Sequence, residues 1–236
     1  MPPGVQVSIA KVPELPINIE LQVLLPAQKT KSDGTNGFII SVMIDKEKIK
    51  RKIIIDAGDI FSRFGFRKTT MSDIARKTGM GKSSLYYYFK SKEEVFEHVV
   101  IYEADILIGE LTKALEKNSG AKEKLKSYIS VRMQVLHNLS NYYHAVFSDD
   151  LSHFDFIEKV RERYNKQEIQ TIQRILNKGI EQGQFRIENT ELAAIAIFTA
   201  MKGLEIPLFW HKVTDKPEMR SENMLNILFY GIVKNR

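Results

Sequence analysis

From Asp45 almost to the last residue, apolar side chains recur three and four positions apart, and most such stretches open on a capping residue or close on a glycine. That spacing lays the apolar groups along one stripe of an α-helix, and no strand pattern, βα alternation or internal repeat is legible after residue 44. The segment KEKIKRKIIIDAGDIFSRFG puts Ile49, Ile53, Ala57, Ile60 and Phe64 on one stripe, with Gly65 ending the helix. In TTMSDIARKTG, Thr70 and Asp73 have capping-box spacing and Gly79 is the stop. A third short helix covers KSSLYYYF, and Ser91 with Glu94 repeats the box before a long helix reaching about Glu116. Further helices are predicted from Ala121 to about Leu139, around Tyr142–Phe147, from the Ser152/Asp155 pair to Gly183, from Thr190, and from Pro217 at a first helical turn. The body is therefore predicted to be all-α.

Residues 1–44 read differently. They combine five prolines, the β-prone run INIELQVLL and the polar cluster KTKSDGTNG. They are expected to be an atypical leader, either an accessory arm, disordered, or a misannotated stretch with translation starting at Met43. Lys11, Glu14 and Glu20 interrupt any signal-like apolar run, and Lys202, Glu205 and Pro207 interrupt the apolar stretch from Leu192 to Trp210. No membrane partner is expected. The chain has no cysteine, which excludes disulfides, thiol catalysis and Cys-ligated zinc and agrees with a cytoplasmic location.

The net charge of +6 is concentrated. Residues 45–95 hold 13 Lys/Arg and 7 Asp/Glu, and the remaining residues balance to zero. A local basic excess is the footprint of a polyanion-binding module, although a solvated basic surface has the same composition. Within this window, Gly81-Lys82-Ser83 resembles the tail of a P-loop. That loop needs a glycine five positions earlier, where Arg76 stands, and a preceding strand, where an amphipathic helix is predicted. A helix-turn-helix fits instead. Ala75 lets two helices approach, Gly79 supplies the turn, and Leu85 and Phe89 seal the second helix to Ile74. Lys82, Ser83, Ser84, Tyr86, Tyr87 and Tyr88 are left facing outward or flanking, with groups suited to phosphates and base edges.

The stretch TTMSDIARKTGMGKSSLYYYFKSKEEVF resembles the DNA-binding region of TetR/AcrR-type transcriptional regulators, and the likeness extends over roughly residues 49–96. The resemblance implies a three-helix DNA-binding domain over 45–91 and a larger effector-binding and dimerisation domain over 92–236. It implies that Lys82, Ser83, Ser84 and Tyr87 face bases, while Thr70, Tyr86, Tyr88 and Lys92 touch phosphates. Thr70 has an alternative role as a cap, and Tyr88 as core packing; Lys77 and Lys90 read as solvated charges. The family's homodimer would hold a pseudo-palindromic double-stranded operator with two motifs about one turn of DNA apart, or a little more.

A nearly all-apolar helix must be covered on every side. Ala193, Ala196, Ala200 and Gly203, with Leu225, Leu228, Phe229 and Ile232, are therefore assigned to a dimer interface, the alternative being an internal core helix. The resemblance also implies a ligand cavity among the central helices. Tyr102, Ile106, Tyr128, Met133, His137, Tyr142, Tyr143 and Phe147 are its candidate lining, although such residues are more often plain core. The expected function is a repressor released from its operator by a small, largely hydrophobic effector, through a swing of the helix that starts at Ser91. The alternative is an effector-independent or architectural DNA binder of the same fold. No E-x-x-H pair, nucleophile elbow or dinucleotide loop is present, and capping explains the lone Asp150-x-x-His153. Neither an enzyme nor any cofactor or metal is expected.

Overall fold

The computed structural model of the chain describes residues 34–136, 138–139, 141–142, 154–210 and 217–230. All regular structure among them is helical: α1 Gly34–Lys68, α2 Met71–Thr78, α3 Lys82–Tyr88, α4 Lys92–Glu116, α5 Ala121–Leu136, α6 Asp155–Glu181, α7 Thr190–Trp210 and α8 Pro217–Tyr230. The chain forms two compact units, Met1–Asp45 and Lys46–Arg236. Of the first, only residues 34–45 are described, and they are helical. Helix α1 thus starts inside the stretch read as leader and not at Asp45. The run INIELQVLL, Ser152, and Tyr143–Phe147 of the short helix expected at Tyr142 lie outside the described residues.

Local signals explain most helix ends. Gly65 takes φ 78° and ψ 160°, which breaks the helical path near the end of α1. Ahead of this break Ile53, Ala57, Ile60 and Phe61 are buried, whereas the two ends of the expected stripe are not: Ile49 is 37% and Phe64 62% exposed. The stripe expected through Phe64 stops one turn early because the break returns Phe66 to that end of the core. There Phe66 stacks on Phe61 at 5.9 Å and meets Phe96 at 4.9 Å.

In the second unit α4 packs along α5, α6 along α7, and α8 against α5. One continuous core runs from Ile53 and Ile74 through Val99, Leu107 and Ile129 to Ile172, Met201 and Leu225. The helix-turn-helix and the helical body therefore share a single apolar interior. Helix α4 is the common wall, with buried residues from Val95 near its start to Ala114 near its end.

Candidate nucleic-acid interface and helical body

Thr70 caps α2 reciprocally. Its hydroxyl accepts from the Asp73 amide at 3.2 Å, and its own amide donates to the Asp73 carboxylate at 3.1 Å. The Thr70 hydroxyl, which also donates to the Asp73 carboxylate at 2.6 Å, and then the Thr70 amide hold that carboxyl below its usual range. At the other end, Gly79 sits in the left-handed region at φ 70°, ψ 23°. The Met80 amide reaches back to the Ala75 carbonyl and the Gly79 amide to that of Arg76, a Schellman closure. The chain then re-enters α3 through Gly81, which has no side chain to cap it.

Two polar straps dock α2 onto α1. Lys77 pairs with Asp59 at 2.7 Å, and Arg63 holds the same carboxylate at 2.9 Å. The Lys77 bond, ahead of the Arg63 charge, keeps the Asp59 carboxyl low. Lys52 donates to the Thr78 carbonyl at 3.3 Å, covering an orphan acceptor at the end of α2. Lys77 is thus a docking residue as well as a solvent-exposed charge.

Leu85 and Phe89 are buried on one side of α3, with Ile74 and Ala75 beneath them. Lys82, Ser83 and Ser84 are exposed. Tyr86 is 44% and Tyr87 69% exposed, while Tyr88 is half-buried and stands edge-on to Tyr87 at 5.1 Å. Along a 3.6-residue repeat, Ser83, Ser84 and Tyr87 fall on the side opposite Leu85 and Phe89, Tyr86 and Tyr88 flank it, and Lys82 is exposed because it opens the helix. That side presents hydroxyls and the Tyr87 ring, with the Lys82 ammonium at its start and the Tyr86 ring at its edge, on a helix whose other side is anchored.

Ser91 caps α4 by accepting from the Glu94 amide at 3.2 Å, but the Glu94 carboxylate accepts from the Lys90 amide at 2.6 Å instead of completing the box. Lys92 points back to the end of α1. Its ammonium donates to the Phe66 carbonyl at 2.9 Å and lies 4.2 Å from the Phe66 ring centroid. An ammonium has three donors, so this bond leaves two available.

In the helical body Tyr128, Met133 and Tyr142 are fully buried, and Tyr102 and Ile106 half-buried. His137, Tyr143 and Phe147 lie outside the described residues. The centre is polar in a way that the sequence reading missed. Arg132 and Glu168 form a buried two-pronged ion pair, with Arg132 Nη2 on Glu168 Oε1 at 3.1 Å and Nε on Oε2; Tyr128 donates to the same carboxylate at 3.2 Å. Burial alone would lower the Arg132 pKa, but Glu168 more than offsets it. Burial and the Arg132 charge push Lys202 down to about 7. A sequence signal for the pair did exist: Arg132 continues the buried stripe of Leu125 and Ile129, and Glu168 that of Tyr164 and Ile172.

A cleft of about 580 Å³ opens among α5, α7, α8 and the turn after α6. Leu125, Leu176, Ile197 and Phe229 line it, with Lys122 and Arg186 among its polar members. None of the residues assigned to the central cavity lines it. Of the assigned dimer residues, Ala196, Ala200 and Gly203 are exposed, Leu228 is 40% exposed, and Ala193 and Phe229 are half-buried. Leu225 is only 3% exposed and belongs to the core of its own subunit, because α8 packs against α5. Ile232 lies outside the described residues. Leu192 and Ile195 add exposed apolar surface beside Ala196.

Residues 53–99 match the family described as Bacterial regulatory proteins, tetR family. The HTH-type transcriptional regulator YfiR of Bacillus subtilis is 30% identical over 156 residues, which is 65% of this chain and 75% of that protein. The HTH-type transcriptional repressor KstR2 of Mycolicibacterium smegmatis is 31% identical over 139 residues, 55% of this chain and 64% of the relative. Among solved structures, the transcriptional regulator FadR of Bacillus subtilis in complex with stearoyl-CoA superposes with a TM-score of 0.66 at 21% identity, over 78% of this chain and 99% of that one. This last likeness is one of fold.

Proposed function

The chain belongs to the tetR family of bacterial regulatory proteins, and from that premise we propose that this DNA-binding transcription regulator is a homodimeric repressor, released from a pseudo-palindromic operator by a small, largely apolar ligand. The observation that carries the reading is the anchoring of α3. Leu85 and Phe89 are buried while Ser83, Ser84 and Tyr87 stand in solvent on its other side and Lys82 stands in solvent at its first position. A short helix held in this way can enter a major groove without rearranging. Thr70, Tyr86, Tyr88 and Lys92 are assigned to phosphates, and Thr70 and Lys92 also serve as structural ties.

A second copy is the proposed cover for the exposed side of α7. Leu192, Ile195, Ala196, Thr199, Ala200 and Gly203 are exposed there and none carries a charge. The DNA-binding function is assigned to residues 45–91, and dimerisation and effector response to the rest of the helical body. Among the described residues assigned to the cavity, Tyr128, Met133 and Tyr142 are fully buried, which supports the effector-independent reading as the second hypothesis.

The deciding experiment is selection of bound genomic fragments at physiological salt, followed by gel shifts with the natural dimer. Enrichment of one inverted repeat, lost in Lys82→Ala, is the expected result. No preference over random duplex would end the regulator reading. A compound that both changes Trp210 fluorescence and weakens the selected complex would separate the effector-responsive hypothesis from the second one.

A further inference from the structure

Tyr87 is the more exposed of the two outward rings on α3, yet it is held on two sides. Half-buried Tyr88 meets it edge-on, and the Lys46 ammonium of α1 lies 5.0 Å from its centroid. An ammonium over a tyrosine face is attracted by the ring quadrupole, and the contact restricts the ring's rotation. Lys46 also differs from several neighbouring cations that are committed within the protein. Lys77 and Arg63 are spent on Asp59, Arg76 on Asp73, Lys52 on the end of α2 and Lys92 on Phe66. Among the described residues, Lys46 is exposed and makes no ion pair. It also lies outside the residues shared with the family.

We propose that Lys46 is a DNA-contacting residue that donates to a backbone phosphate beside the groove entered by α3, and that it also positions the Tyr87 ring for base contact. The inference rests on the reading of α3 as the recognition helix. Lys82 opens that helix, and Tyr87 lies five residues on, about 7.5 Å along the axis. The Lys46 charge therefore stands at the far end of the presented surface from Lys82. A ring left to rotate would meet base edges and thymine methyls in several orientations, and a ring clamped by Lys46 meets them in one.

The test uses the full-length protein and a duplex selected by it from a random-sequence library, with a scrambled duplex as reference. Lys46→Met keeps the stem and removes the charge. Each phosphate contact contributes about 0.9 to the slope of log affinity against log salt, so Lys46→Met is expected to flatten that slope by about two in a dimer. It should also broaden preference at one base pair per half-site. Lys46→Arg should restore both. In a Tyr87→Leu background, Lys46→Met should still flatten the slope but leave preference unchanged. An unaltered slope would overturn the phosphate contact, and an unaltered preference in the Tyr87 background of the wild type would overturn the positioning role. Lys82→Ala keeps the two levels apart: if it too has no effect, the recognition-helix reading fails, and if it weakens binding while Lys46→Met does not, only the Lys46 assignment fails.

Discussion

Asn141 donates its side-chain amide to the Gly58 carbonyl at 3.0 Å, tying α1 to a point 83 residues further along the chain. The same nitrogen donates to Glu103 Oε1 of α4 at 2.5 Å, and Glu103 Oε2 accepts from the Tyr142 amide at 2.7 Å. An amide nitrogen has two hydrogens, so one side chain can serve both acceptors. The joint is tight: a Cβ on Gly58 would meet Val99 Cγ1 at 3.3 Å and Asn141 Nδ2 at 3.7 Å. Removing the amide strands a buried carboxylate short of a donor. Asn141→Ala is expected to cost about 1–3 kcal/mol in urea denaturation, the usual penalty for an unmet buried polar group. An unchanged midpoint would show that the joint is not stabilising.

Glu103 makes folding pH-dependent. Burial, which outweighs the bonds from Tyr142 and Asn141, pushes its carboxyl from 4.5 up to about 7. The folded state thus holds this proton more firmly than the unfolded chain does. The resulting stability is complete below about 4.5 and is lost as pH rises through about 7. Glu103→Gln should remove that part of the pH dependence, so the wild-type and variant denaturation midpoints should diverge progressively as pH is raised over this window. Parallel curves would contradict the assignment.

The Arg132–Glu168 pair should respond unequally to single and double substitution. Arg132→Met leaves a buried charge without its partner, an expected loss of about 3–5 kcal/mol. Adding Glu168→Leu removes that charge and should recover most of the loss. Calorimetric or chemical unfolding of the four combinations gives the coupling directly, and additive effects would refute it.

Gly79 carries a backbone requirement. Its φ of 70° costs a residue with a Cβ about 1–2 kcal/mol. Gly79→Ala should lower the melting temperature and Gly79→Asn should lower it less, because Asn tolerates the left-handed region. Equal melting for both would argue against a conformational cause.

Gel shifts should separate the two roles given to Thr70. Thr70→Ser keeps the hydroxyl that accepts from the Asp73 amide, whereas Thr70→Ala removes it at a cost of about 1 kcal/mol in stability. If Thr70 also touches a phosphate, Thr70→Ala weakens DNA binding under conditions where the protein remains fully folded. Full binding in those conditions would leave Thr70 as a cap alone.

What could be determined from sequence alone was whatever operates within about one helical turn. The Thr70–Asp73 box, the Gly79 stop, the Ser91 cap and Pro217 at the start of α8 involve residues no more than a few positions apart, so their partners are implied by spacing. The same holds for the outward side of α3, because a helix with Leu85 and Phe89 buried must present Ser83, Ser84 and Tyr87 on its other side. The tertiary structure decided every pairing across helices: Lys77 with Asp59, Lys92 with the Phe66 carbonyl, Lys46 over Tyr87, Arg132 with Glu168, and Leu225 inside its own subunit. Those outcomes depend on the rotation and rise at which one helix meets another. These are set by packing of the whole core, and local sequence does not encode them position by position.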